Sequence, residues 1–183
     1  MAYIYKVTIV ERQKVMELPL GLRLLVRRIC ISVLTHEKFN HSADVSVVFV
    51  DNDYIQSLNK QYKGRDVPTD MLSFPAIKNN DCEIDPKTGL KIHEYEINPE
   101  TGAKILGDII ISFEKALEEA KIYVVPVQDI IMRWTAHSLL HLLGYDHEKT
   151  AYELERMRTI CEAIVNKVSV PNSFCDVKSY KSK

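Results

Sequence analysis

Leu18, Leu22, Leu25, Ile29 and Val33 recur at three- and four-residue spacing, which predicts an amphipathic helix over about 19–36 with Arg23, Arg27 and Arg28 facing outward. A short alternating stretch before it reads as a strand. Residues 44–50, Asp-Val-Ser-Val-Val-Phe-Val, are rich in β-branched types and too short for a typical helix, so a strand is predicted there. Asp51 has the side chain of a helix N-cap, and Tyr54, Ile55, Leu58 and Tyr62 form a helical stripe that stops at Gly64. Residues 71–74 and 105–112 are further strand candidates. Ser112 is placed to cap a helix whose inner face is Ala116, Leu117 and Ala120. Pro126 opens another helix, running through Trp134 to about Leu143 and ending at Gly144. A last helix over about 148–168 carries Met157, Ile160, Cys161, Ile164 and Val168 on one stripe.

Between the strand candidates, residues 76–104 contain Asn79-Asn80, Asp85-Pro86, Thr88-Gly89 and Asn98-Pro99-Glu100-Thr101-Gly102, the punctuation of a surface excursion or hairpin. With six acidic and four basic residues, it reads as a poor docking site for an anion. At 183 residues, 46% hydrophobic and 27% charged, the chain suits one soluble globular domain over 1–172 and a loose basic tail over 173–183. Its formal net charge of −1 offers a polyanion no long-range attraction, so an RNA partner would need a local basic patch. Cys30, Cys82, Cys161 and Cys175 form no Cys-x-x-Cys pair and no signal-like N-terminus precedes them, which points to a reduced, cytoplasmic setting with packing thiols. Apolar runs such as 29–34 and 109–111 fall far short of the roughly 20 residues that cross a bilayer, so no membrane segment is expected.

Half of the six histidines fall within His137 to His147. Residues four apart on a helix lie about 40° apart around the axis and about 6 Å along it, so His137 and His141 can aim at one point. Gly144 can take the positive φ that ends the helix and turns the chain, returning His147 to the same point. Three neutral imidazoles leave one position of a tetrahedral Zn²⁺ open, as in a catalytic site, and without carboxylates they favour Zn²⁺ over Mg²⁺ or Ca²⁺. A single helical histidine is usually an ordinary core or surface residue; three at this spacing with glycine between are not what a core needs. One zinc ion per chain on His137, His141 and His147 is therefore expected.

The spacing equals that of metzincin peptidases, which place a glutamate base directly after the first histidine. Here that position is Ser138, which cannot take a proton as a carboxylate does, so a zinc peptidase is the second reading. His137-Ser-Leu-Leu-His141-Leu-Leu-Gly144-Tyr-Asp-His147 resembles instead the signature of the YbeY endoribonucleases. The likeness extends to Asn59-Lys-Gln-Tyr-Lys63-Gly-Arg65-Asp-Val-Pro-Thr69-Asp70-Met-Leu-Ser73-Phe74-Pro75 and to Leu106-Gly107-Asp108-Ile109, in that family's order. The tail and much of 76–104 lie outside it.

The resemblance implies an α/β fold, a small mixed sheet flanked by helices with a metalloprotease-like zinc helix. It also implies metal-dependent cleavage of single-stranded RNA, in maturation of the 3′ end of small-subunit ribosomal RNA and in ribosome quality control, with the small subunit and its proteins as partners. Lys63 and Arg65 are then the phosphate-binding and catalytic cations beside His137. The family usually has glycine where Ser138 stands and arginine where Lys63 stands; a lysine gives a point charge where guanidinium gives a bidentate fork. A different class of reading is an assembly factor that needs the metal only for folding.

Asp70, Asp108 and Asp146 are possible bases or partners for an imidazole N–H, with a turn or cap role as the plain alternative. Trp134 and Tyr62 are read as core packing, with base stacking as the alternative. His36, His41 and His93 are read as surface residues.

Overall fold

The computed structural model describes residues 3–78, 83–87, 90–146 and 151–168. His147, Cys82, Cys175 and the basic tail lie outside the described residues, as does the start expected for the last helix.

Strand β1 (Tyr5–Glu11) is followed by helix α1 (Leu22–His36) and strand β2 (Ala43–Val50), which pairs parallel with β1. The helix starts later than its periodicity suggested, because Gly21 takes a left-handed conformation at its N-cap. Helix α2 (Asn52–Lys63) begins where Asp51 Oδ1 accepts the Tyr54 N–H at 2.9 Å and ends at left-handed Gly64. Strand β3 (Met71–Pro75), the two-residue strands β4 (Glu83–Ile84), β5 (Lys91–Ile92) and β6 (Glu96–Ile97), and strand β7 (Lys104–Ser112) follow. Helices α3 (Phe113–Tyr123), α4 (Val127–Leu142) and α5 (Ala151–Val168) complete the order, with Ser112 Oγ capping α3 through the Lys115 N–H.

The sheet runs β1-β2-β7-β3, with β2 parallel to its neighbours β1 and β7, while β3 and β6 pair antiparallel with β7. It is thus a small mixed sheet in an α/β fold. Alternation along β7 sorts its side chains between two layers. Ile109 and Ile111 enter the main core with α1, α4 and α5, whereas Ile110 joins Val50, Ile55 and Leu72 beneath α2. Asp108 shares the Ile110 parity and is exposed, on the face away from α4. The register jumps at Leu106, which has no partner on β2, and Gly107 absorbs the bulge at φ 128°. A Cβ there would stand 2.1 Å from the Phe74 carbonyl oxygen, so the third sequence motif needs its glycine for backbone packing.

Helix α4 is buried on nearly every side, with 11 of its 16 residues buried, which makes it the central helix between α1, α3, α5 and the sheet. Trp134 is part of this core, as read from the sequence. Tyr62 is not: it is 57% exposed and closes edge-on over Phe74, with ring centroids 4.9 Å apart. It ends α2 on the outer face of the sheet, where no further layer covers it among the described residues.

Candidate metal centre and cleft

The last turns of α4 place His137 and His141 on one face, with Nε2 atoms 3.0 Å apart and ring planes at 76°. His141 Nδ1 lies 2.9 Å from the Tyr145 carbonyl oxygen. A carbonyl only accepts, so the ring hydrogen sits on Nδ1 and the Nε2 lone pair points toward His137. Two imidazoles on one tetrahedral zinc, each bonded at about 2.0–2.1 Å, would hold their nitrogens roughly 3.3 Å apart. The observed separation is close to that. The backbone acceptor behind His141 is the kind of outer partner that metal-binding histidines use. The donor chemistry of the pair therefore fits a zinc ion. Among the described residues no group of three possible ligands forms, and the third expected ligand, His147, lies beyond them.

Gly144 turns the chain at φ 101°. A second constraint, invisible in the helix pattern, is that a Cβ here would stand 2.2 Å from the Lys91 carbonyl oxygen. The 76–104 segment is thus pressed directly onto the turn. The Lys91 N–H donates to the Gly144 carbonyl at 3.3 Å, Lys91 Nζ lies 3.0 Å from Asp146 Oδ2, and the Tyr95 hydroxyl donates to the Leu142 carbonyl at 2.5 Å. That last bond satisfies one of the carbonyls a helix end leaves open.

A cleft of about 540 Å³ opens over the histidine pair, with Lys63, Asp70, Ser73, Lys91, His93 and Asp146 among its walls. Lys63 reaches it from the last turn of α2. Arg65, two positions on, is exposed and not among the lining residues. Asp70 Oδ1 accepts from the Thr69 hydroxyl at 2.9 Å and from the Met71 N–H at 2.8 Å, a turn role inside the cleft. Burial first, and then the Asp70 charge, raise the nearby Glu119 carboxyl above its usual range. Asp108 does not enter the cleft, because the pleat turns it to the opposite face. Ser138 is 1% exposed and its hydroxyl faces Met71 Sδ at 3.1 Å, so it is a packing residue.

Two expectations change here. The 76–104 segment is not merely a surface excursion: it supplies a cleft wall, including the cation Lys91. His93 is not a plain surface residue either. It is half-buried, lines the cleft, and neither buried ring nitrogen has a hydrogen-bond partner among the described residues. Burial, and then the Lys91 ammonium, hold its imidazole below the ordinary value and favour the neutral ring. The signal available in the sequence was the period of two in Lys91-Ile-His93-Glu-Tyr95, which puts these three on one side of an extended chain. His36 and His41 are exposed, as read. Cys30 and Cys161 are buried free thiols, pushed up by burial to about 12 and about 11. No helix among the described residues is long and apolar enough to cross a membrane.

Residues 8–169 match the family model described as Endoribonuclease YbeY. Curated relatives of that name include one from Thermoanaerobacter sp. strain X514, 40% identical over 151 residues that span 82% of this chain and 90% of the relative. Another, from Clostridioides difficile strain 630, is 34% identical over 162 residues, 87% of this chain and 94% of the relative. A solution structure of a Thermotoga maritima protein aligns with a TM-score of 0.55 over 96% of this chain and 99% of that one, at 22% identity, and supports the fold alone.

Proposed function

Since the chain belongs to the YbeY endoribonuclease family, we propose that it is a zinc-dependent, single-strand-specific endoribonuclease that matures the 3′ end of small-subunit ribosomal RNA. The observation that carries the metal part is the convergence of His137 and His141 Nε2, 3.0 Å apart, with His141 held from behind by the Tyr145 carbonyl. His147, three positions beyond Gly144 and outside the described residues, is the third ligand of the proposal. When bound, the ion supplies Lewis acidity for polarising a phosphoryl oxygen or lowering the pKa of a water.

The chain's own residues do the rest. Lys63 sits in the cleft wall, where its ammonium can offset charge developing on the phosphate. Arg65 is exposed beside it and adds positive charge along the approach of the strand rather than on the cleft floor. Asp70 stiffens the start of β3, which presents Met71 and Ser73 to the cleft. A peptidase would need a carboxylate where buried Ser138 packs on Met71. Partners of this reading are ribosomal RNA and the small subunit; a role in ribosome quality control belongs to the same proposal.

The test is cleavage of a single-stranded RNA by purified protein with and without zinc, beside His137→Ala. Metal-dependent cleavage lost in the variant is the expected result. RNA left intact across zinc, nickel and manganese at several salt concentrations would contradict it.

A further inference from the structure

The carbonyl that fixes His141 belongs to Tyr145, and that residue is held by more than the turn. Its N–H donates to the Leu140 carbonyl at 3.1 Å. The residue is 3% exposed, and its hydroxyl donates to Glu37 Oε2 at 2.6 Å. The Arg156 guanidinium lies 4.9 Å from the centre of its ring, and Arg156 Nη2 donates to the hydroxyl oxygen at 3.3 Å. Glu37 closes α1, Arg156 belongs to α5, and the second Glu37 oxygen faces His36 Nδ1 at 2.9 Å.

Glu37 and Arg156 do not line the cleft; with Tyr152 they border a separate outer groove. Filling the core would need only a phenylalanine. A buried phenol instead carries a charge-assisted hydrogen bond, stronger than a neutral one, and ties two helices to the residue behind the metal ligand. We infer that Tyr145, gripped by Glu37 and Arg156, is a positioning residue for His141: it holds the carbonyl that keeps the ring hydrogen on Nδ1 and the Nε2 lone pair aimed at the cleft. Its consequence for metal affinity rests on the zinc reading above; the tautomer itself does not.

The experiment uses the full chain. Long-range proton–nitrogen NMR reads the His141 tautomer, assigned by its absence in His141→Gln, and competition with a chromophoric chelator reads zinc affinity. Wild type is expected to show the Nδ1–H tautomer. Tyr145→Phe and Glu37→Ala are expected to show a mixture and about tenfold weaker zinc binding, the lower range for loss of an outer partner of a metal ligand. Glu37→Gln keeps an acceptor oxygen and should restore both. An unchanged tautomer in Tyr145→Phe and Glu37→Ala, with zinc affinity equal to wild type, overturns the inference even if melting temperature falls. Should Tyr145→Phe not fold, the two Glu37 variants decide. Wild type that binds no zinc overturns the metal reading, while the tautomer still decides the positioning role.

Discussion

The end of α4 and the 76–104 segment meet at Gly144, and they are held in opposite ways. The helix is packed on nearly every side, so His137 and His141 ride on an element whose own core fixes them. The segment, in its described residues, has two-residue strands and little apolar burial, with Tyr95 and Ala103 as the buried hydrophobics. It stays on α4 through the Tyr95 hydroxyl, the Lys91 backbone against Gly144, and the Lys91–Asp146 ion pair. A donor pair needs placement to a few tenths of an ångström, and a rigid helix supplies it. In the proposed function this wall meets a flexible strand of RNA, which needs less rigidity, and a segment held at a few points suits that.

The strongest way to break this contrast is Gly144→Ala. The added Cβ meets the Lys91 carbonyl at a φ where side chains are strained, so a loss of about 3 kcal/mol or more is expected in urea denaturation. Gly102→Ala is the control. It also has positive φ, at 69°, but meets open space, so only about 1–2 kcal/mol of backbone strain should appear. Equal losses in the two variants would mean that the segment does not press on the turn.

His141→Ala should leave the segment docked while lowering zinc affinity by at least about a hundredfold, the upper range for loss of a mere outer partner. Calorimetric zinc titration measures it, and affinity near that of wild type would remove His141 from the donor set. Tyr95→Phe deletes the bond to Leu142 and should cost about 1 kcal/mol. Hydrogen exchange should quicken along the segment and remain slow through α4; uniform quickening would mean that the two regions open together.

His93→Phe has the smallest expected effect, and its sign is informative. Replacing a ring whose nitrogens lack partners among the described residues with an apolar one should be neutral or stabilising by up to about 1 kcal/mol at pH 8. The folded-state pKa of His93 is lowered, so its share of wild-type stability is full above the ordinary value of 6.5 and falls as pH drops through that value toward the folded one. The advantage of His93→Phe should therefore grow from pH 8 to pH 5. An advantage that shrinks on acidification would contradict the neutral buried ring.

How much of this was legible in the sequence follows from the range of each interaction. The caps at Asp51, Ser112 and Gly64 are local hydrogen bonds and backbone conformations, so a few residues suffice to read them. The histidine pair is as local, because one helical turn relates its members. Gly144 was legible only by half: its turn is a local event, but the Lys91 carbonyl against it comes from 53 positions earlier, with no periodicity linking the two. Asp108 was open for the same reason, since only the pairing of β7 with its neighbours decides which face its parity reaches. Tyr62 sits on a genuine helical stripe, yet no layer among the described residues covers that end of it. His93 resembles any loop histidine until the segment folds back over the cleft.

The central claim is that His137 and His141 share one cation. Anomalous scattering at the zinc edge, from crystals of the full chain grown with zinc, tests it most directly. The account expects a single strong peak about 2.0–2.1 Å from both Nε2 atoms, with His147 as the third ligand. A peak elsewhere, or none between two rings that have turned apart, would contradict it.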